Sequence, residues 1–106
     1  MITFEDFKKI ELKIAKIIEV KEHPNADMLY VLRVEIEDKP RQIIAGIKKY
    51  YTPEELKGKQ IVVLANIETA TIRGEISEGM LLAAKDDENL AILIPEKNVK
   101  TGSTVS

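Results

Sequence analysis

The chain has 106 residues, of which 44% are apolar and 32% charged, and its formal net charge is −2 at pH 7. This size and composition indicate one globular domain with a single hydrophobic core. The chain has no cysteine and one histidine, which excludes disulfides, thiolate chemistry and metal sites built from several histidines, and we expect no cofactor. Because no targeting segment or membrane-length apolar run is present, we also expect a cytoplasmic protein that does not enter a membrane.

The first 21 residues predict a short helix and a long strand. Thr3 can cap a helix over residues 4–9, and Phe4 and Phe7 share a face that should pack against the core. Apolar and polar side chains alternate over residues 12–21, which predicts a half-buried strand. Lys16 and Ile17 interrupt this pattern.

Two more strands should follow as a meander. Proline and turn-forming residues at 23–27 predict a connection in which His23 is a surface residue. Alternation over residues 30–36 predicts the second strand. A turn at residues 37–40 should lead into a third strand over residues 41–45.

The clearest helix start in the sequence follows the third strand. Thr52-Pro53-Glu54-Glu55 places a hydroxyl at the N-cap, proline at the first helical position and a glutamate at N3, which is a capping box. Gly58 should end this short helix. Residues 60–66 are apolar without alternation, which predicts a strand covered on both faces.

Residues 66–84 predict a loop of fixed shape that leads into a fifth strand over residues 80–84. The loop holds one cation, Arg73, and two glycines, Gly74 and Gly79. Glycines at such places usually provide a positive φ or the close approach of another backbone. We therefore expect this loop to be the place where the protein meets its partner.

Three strands, a short helix and two further strands form the element order of an OB-fold. We therefore predict an all-β protein, a five-stranded Greek-key barrel with short helices, made by a single domain over residues 1–106. Residues 85–106 follow the fifth strand and should pack on the barrel or at a subunit interface. They include an apolar segment, residues 90–94, which needs cover as residues 60–66 do, and we therefore expect a homodimer.

Three parts of the chain resemble the structure-specific tRNA-binding domain, a family found as stand-alone dimers and as parts of methionyl- and phenylalanyl-tRNA synthetases. They are His23-Pro24-Asn25-Ala26-Asp27-Met28-Leu29, residues 47–59, and Asn66 together with residues 74–84. The resemblance implies an OB-fold dimer that binds tRNA by shape at the outer corner of the L. A-form RNA hides its major-groove edges, so phosphates, 2′-hydroxyls and exposed loop bases remain for a protein to contact.

The resemblance also implies which residues bind. Asn66, Ser77 and Met80 match the family's binding loop, where Ser77 can bond a phosphate or 2′-hydroxyl and Met80 can pack on a base or ribose. Structural roles stay open, since Ser77 can cap a turn and Met80 can fill the core. The family commonly has cations after the asparagine, but this chain has Glu68-Thr69-Ala70-Thr71, so we expect weak, salt-sensitive binding. Arg73 and cations elsewhere must then supply the positive charge: Lys13, Lys16, Arg41, Lys48 and Lys49.

Two functions remain open at this point. The first is tRNA binding, either alone or as the tRNA-affinity β subunit of a methionyl-tRNA synthetase, whose catalytic chain would then be a partner. The second is a dimeric chaperone or protein-interaction module on the same fold, similar to the secretion chaperones of this superfamily, and the acidic balance favours it. An enzyme is not expected, because the sequence has no nucleophile elbow, no phosphate loop and no opposed carboxylates.

Overall fold

The computed structural model describes all 106 residues, which form two short helices and ten strands. The elements are α1 (Phe4–Phe7), β1 (Leu12–Glu22), β2 (Tyr30–Ile36), β3 (Lys39–Ala45), α2 (Pro53–Leu56), β4 (Gln60–Leu64), β5 (Ala70–Ile72), β6 (Glu75–Ser77), β7 (Met80–Leu81), β8 (Ala83–Lys85), β9 (Leu90–Ile92) and β10 (Thr104–Val105). Neither helix is long or apolar enough to cross a membrane.

The main sheet is antiparallel and has the strand order β3-β2-β1-β4-β7. It curls until β3 meets the chain just before β7, where Glu78 N donates to Gln42 O at 2.7 Å. Ser77 adds a second link, because its Oγ accepts from Ile44 N at 3.0 Å. The predicted OB-fold barrel is confirmed, with α2 between β3 and β4 as expected.

The barrel encloses one hydrophobic core. Its largest fully buried side chains come from the long strands and from α2: Ile17, Leu32, Val34, Ile43, Leu56, Ile61 and Val63. The register of β1 against β2 shifts between Ile17 and Glu19. This bulge explains the interrupted alternation in the sequence, since the core-facing residues are Ala15 and Ile17 before it and Val20 after it.

The N-terminal helix differs from its prediction. It ends at Phe7, contains no buried residue and leaves Phe4 71% exposed, so the expectation that Phe4 and Phe7 pack against the core is wrong. A capping box between Thr3 and Asp6 satisfies the first turn locally. A helix of four residues is also too short to present a continuous apolar face.

The second helix forms as the sequence predicts. Thr52 Oγ1 accepts from Glu55 N at 3.2 Å and Glu55 Oε1 accepts from Thr52 N at 2.8 Å, which completes the capping box. Hydrogen bonds from Thr52, chiefly from its backbone N–H, hold the pKa of Glu55 below its ordinary value. The side chain of Leu56 is fully buried beneath the helix.

The predicted fifth strand is divided in two. Met80 and Leu81 pair with β4, but residues 83–85 pair with β9. Leu82 lies where the chain changes partner: its N donates to Val62 O at 3.2 Å and its O accepts from Leu93 N at 3.0 Å. A continuous strand over residues 80–84 is therefore wrong, because the chain leaves β4 after Leu82 and Val62 N donates to Leu93 O instead.

The C-terminal segment runs back along the barrel. β10 pairs with the start of β1, where Val105 lies opposite Leu12, and the side chain of Gln60 bonds both the N and the O of Val99. Val62 lies outside the core cluster but is buried too, and its N donates to Leu93 O at 3.1 Å. The prediction that β4 is covered on both faces is confirmed.

Candidate nucleic-acid interface

The chain between β4 and β7 contains a small hairpin. β5 and β6 pair antiparallel with Ile72 opposite Glu75, and the turn between them consists of Arg73 (φ 55°) and Gly74 (φ 93°). Two consecutive positive φ values define a type I′ turn, whose twist fits a two-residue hairpin connection. The loop is therefore a short hairpin of defined shape, with Arg73 exposed at the tip.

The connection between β1 and β2 contacts this turn. His23 Nε2 lies 2.9 Å from Ile72 O, and Asn25 Nδ2 donates to Arg73 O at 3.1 Å. His23 Nδ1 accepts from Asn25 N at 3.0 Å. His23 is only 6% exposed, and both of its ring nitrogens bond backbone groups. The prediction that it is a surface residue is therefore wrong. The two loops at this end of the barrel are therefore joined.

Ser77 lies in the barrel wall. It is 4% exposed, and its Oγ accepts from Ile44 N and donates to Gly79 O, both at 3.0 Å. A hydroxyl has one hydrogen to donate, and that of Ser77 is bonded to Gly79 O inside the protein. Because the residue is buried, a phosphate or ribose cannot reach the remaining lone pair of Oγ. The geometry is that of a structural hydroxyl.

Asn66 joins the end of β4 to the N-terminal segment. Its Oδ1 accepts from Glu11 N at 2.9 Å and its Nδ2 donates to Lys9 O at 2.7 Å. The residue is exposed, but both ends of its amide are engaged. Asn66 therefore holds the backbone of residues 9–11 beside the end of β4. The helix α1 cannot hold this segment by packing, because it contains no buried residue.

Met80 keeps 44% of its surface exposed. It forms part of an apolar pocket of about 130 Å³ beside the hairpin, together with Ile44, Ile67 and Ile72. Thioether and aliphatic surfaces of this kind can pack on a flat base or a ribose. Among the residues of the matched loop motif, Met80 is therefore the one available to a ligand.

A polar groove of about 320 Å³ crosses the outer face of β1, β2 and β3. Arg41 lines it, but its Nη1 donates to Ala65 O at 2.6 Å and to Glu78 O at 3.3 Å, so its guanidinium helps to close the barrel. Arg33 lines the same groove, is exposed and forms none of the ion pairs of the chain. Sequence reasoning missed Arg33, although its place on the polar face of the second strand was a signal.

Lys48 and Lys49 lie near Glu22, at the end of β1 that leads into His23 and the Arg73 turn. Lys48 forms an ion pair with Glu22, and their hydrogen bond raises the pKa of Lys48 and lowers the pKa of Glu22. Lys49 is exposed, with its Nζ 5.8 Å from the centre of the Tyr50 ring. Lys49 can therefore contact an anion directly, whereas Lys48 must first leave Glu22.

Lys13 and Lys16 lie towards the other end of β1. Lys13 Nζ donates to Thr104 Oγ1 at 3.0 Å, and Lys16 is exposed without an ion pair. Since His23 directly follows β1, Lys13 and the Arg73 turn are separated by roughly 30 Å along the strand. The structure places Arg73 and Lys48 near one end of β1 and Lys13 near the other. Met80 pairs with Leu64, which lies opposite Leu12, so it is two strands away from the Lys13 end of β1.

A closed barrel whose end loops meet at an exposed arginine, beside an apolar pocket, defines a binding module of the OB-fold class. No group of His, Asp or Glu side chains in it could hold a metal ion. The family described as "Putative tRNA binding domain" matches residues 12–104. The chain belongs to this family, and the resemblance found in its sequence is confirmed.

Similar proteins are found among curated sequences and among solved structures. The methionine–tRNA ligase of Pyrococcus horikoshii is 53% identical over 104 residues, which are 98% of this chain but only 14% of that protein. The chain thus spans about 14% of the length of curated relatives that it matches. Among solved structures, chaperone CsaA from Bacillus anthracis is 30% identical with a TM-score of 0.89, covering 100% of this chain and 99% of that one. A MetRS-related protein from P. horikoshii shares the fold, with a TM-score of 0.93 at 24% identity, covering 100% and 98%.

Proposed function

We propose that this protein binds tRNA by shape in the cytoplasm, either alone or as the tRNA-affinity β subunit of a methionyl-tRNA synthetase, and that it catalyses no reaction itself. Family membership and the 53% identity to a methionine–tRNA ligase support tRNA as the ligand. In the second case the catalytic chain of the synthetase would be a further partner, and the shared stretch, 14% of that ligase, would supply tRNA affinity. Co-purification with such a chain would distinguish the β subunit from the stand-alone protein.

The exposed Arg73 at the tip of the hairpin carries the proposal. Its φ of 55° is one that asparagine or glycine adopts more easily, and holding another residue there costs roughly 1–3 kcal/mol. Its side chain forms no ion pair within the protein, so the charge is available to a phosphate. The Met80 pocket next to it offers an apolar wall for an exposed base or ribose.

Acidic side chains in the same loop lower the affinity that we expect. Glu68 lines the Met80 pocket, and Glu75 directly follows the Arg73 turn. Carboxylates at these places repel phosphates, while few cations remain to release counterions from the RNA. We therefore expect weak, salt-sensitive binding whose salt slope is shallow, because the slope scales with the number of phosphates that the protein neutralises.

Titration of bulk tRNA in a gel-shift assay at two salt concentrations tests the proposal. We expect binding at low salt, and we expect Arg73→Ala to weaken it and to reduce the salt slope by about one. The melting temperature should stay nearly unchanged, because the side chain is exposed. Lys97→Ala removes one charge from the C-terminal segment and is the matched control. Absent binding at low salt, or binding without salt dependence, would contradict the proposal.

Glu22→Gln should strengthen tRNA binding by about two- to threefold, since exposed ion pairs are weak and the carboxylate competes with phosphate for Lys48. The substitution removes the partner that holds Lys48. The same titration measures the change, with Glu54→Gln on α2 as a control for the lost negative charge. An equal gain in both variants would assign the effect to net charge and remove Lys48 from the site.

We also propose that the protein is a homodimer. An apolar groove of about 460 Å³ lies between the end of β3 and the β7–β8 segment, and Leu93 and Ile94 are exposed on the C-terminal segment. Association would remove these surfaces from water, which is favourable. Sedimentation velocity at micromolar concentration should give the mass of two chains, and a monomer would contradict the proposal.

A chaperone or protein-interaction module is the second candidate function. The same apolar groove could receive an extended apolar peptide, and the chain is 30% identical to a protein described as chaperone CsaA. Suppression of the aggregation of an unfolded protein, measured by light scattering, tests it. Suppression without tRNA binding would favour this function, and tRNA binding without suppression would favour the first.

A further inference from the structure

We propose that His23 and Asn25 are positioning residues for RNA binding, which act by holding the left-handed turn that presents Arg73. The inference rests on the proposed tRNA-binding function. It gives a role to the His23-Pro24-Asn25 motif, which that function alone does not explain. Neither residue needs to touch the RNA, because each acts through the backbone of the hairpin.

The two hydrogen bonds reach the two peptide groups that flank the α-carbon of Arg73. His23 Nε2 bonds the oxygen of Ile72 at 2.9 Å, and Asn25 Nδ2 bonds the oxygen of Arg73 at 3.1 Å. Peptide groups are planar, so holding both of them fixes the φ and ψ of the residue between them. The positive φ of Arg73 is therefore set by the connection between β1 and β2.

The tautomer of His23 follows from its bonds. The Asn25 N–H can only donate, so Nδ1 must accept it at 3.0 Å, and the ring proton lies on Nε2, where it donates to Ile72 O. One nitrogen thus takes a bond from its own loop while the other gives a bond to the hairpin. Burial of the ring keeps water from competing for either bond.

The turn requires support from outside the hairpin. β5 and β6 have only three residues each, and two-stranded hairpins are at best marginally stable alone. Asn25 also packs against the turn, since a Cβ on Gly74 would lie 3.5 Å from its Nδ2. With the turn held, Arg73 loses less conformational freedom when it meets a phosphate, which favours binding.

Three substitutions separate the two bonds. His23→Asn keeps an acceptor for the Asn25 N–H but is too short to reach Ile72 O, whereas His23→Gln can place an amide N–H near the position of Nε2. Asn25→Ala removes the bond to Arg73 O. Because Asn25 is exposed, this substitution should not prevent folding. We expect His23→Asn and Asn25→Ala to weaken binding of bulk tRNA by about three- to tenfold, and His23→Gln to recover most of the loss.

A double-mutant cycle shows whether these residues act through Arg73. In an Arg73→Ala background, His23→Asn and Asn25→Ala should cause no further loss of affinity. Gln60→Ala removes a comparable pair of side-chain bonds to the backbone of Val99 and is the control that should leave affinity unchanged. Losses that add to that of Arg73→Ala would overturn the inference.

Amide hydrogen exchange of the free protein gives a readout that does not involve RNA. We expect faster exchange in β5 and β6 for His23→Asn and Asn25→Ala but not for Gln60→Ala. Unchanged exchange in the hairpin would overturn the inference while leaving the proposed function in place. A native chain that fails to bind tRNA would overturn the proposed function and, with it, the role of the two residues in RNA binding.

Discussion

Gly79→Ala is expected to lower the free energy of unfolding by about 3 kcal/mol and the melting temperature by roughly 10 °C or more. Gly79 has a φ of 148° in the segment that closes the barrel. A Cβ there would lie 3.2 Å from the backbone oxygen of Leu64 and 3.3 Å from Cγ1 of Val63. Both atoms belong to β4, whose Val63 lies in the core, so the strand must shift or the new methyl group must be strained. Urea and thermal unfolding followed by circular dichroism measure the loss.

Gly58→Ala is the matched control for this prediction. Gly58 also has a positive φ, 88°, but a Cβ there meets nothing within 4 Å. The substitution should therefore cost only the backbone conformation, about 1 kcal/mol. Equal losses in the two variants would show that close packing at Gly79 contributes nothing to stability.

Ser77→Ala is expected to lower the free energy of unfolding by about 2–4 kcal/mol while leaving the tRNA affinity of the folded protein unchanged. The substitution removes the hydroxyl that accepts from Ile44 N and donates to Gly79 O. A buried polar group without a partner costs roughly 1–3 kcal/mol. Unfolding in urea gives the stability, and titration with tRNA well below the midpoint gives the affinity.

Thr71→Ala separates these two effects in the same hairpin. Thr71 is exposed on β5, so its loss should change stability by less than about 0.5 kcal/mol. If Ser77→Ala instead weakens tRNA binding and leaves stability intact, Ser77 is a contact residue as the family resemblance implies. The geometry leads us to expect the opposite result.

Much of the fold was predictable because its signals are local. The N-cap at Thr3, the capping box at Thr52 and the two-sided cover of β4 are each indicated by residues close together in the chain. The interrupted alternation at Lys16 and Ile17 was also a local signal, although it did not identify the bulge. The division of the fifth strand was not predictable from a local pattern. It arises because Leu82 bonds both Val62 and Leu93, and no local pattern indicates which strand a residue will pair with.

The candidate site was less predictable, because polar residues in a motif can serve either a ligand or the fold. Asn66 bonds residues 55 and 57 positions away, and Ser77 bonds one 33 positions away. Contacts over such separations leave no signal in a single sequence. His23 illustrates the same limit: a histidine before proline indicates a loop, but its burial depends on the hairpin that forms almost 50 residues later.

The pairing of β10 with the start of β1 sets how this barrel can be connected to other chains. Val105 lies opposite Leu12, so the polypeptide enters and leaves the barrel at neighbouring points. Domains with adjacent ends can be appended to a larger protein, inserted into one, or circularly permuted without breaking their strand pairing. A covalent attachment at this point would also lie at the opposite end of β1 from the Arg73 turn, which would leave that turn open to RNA.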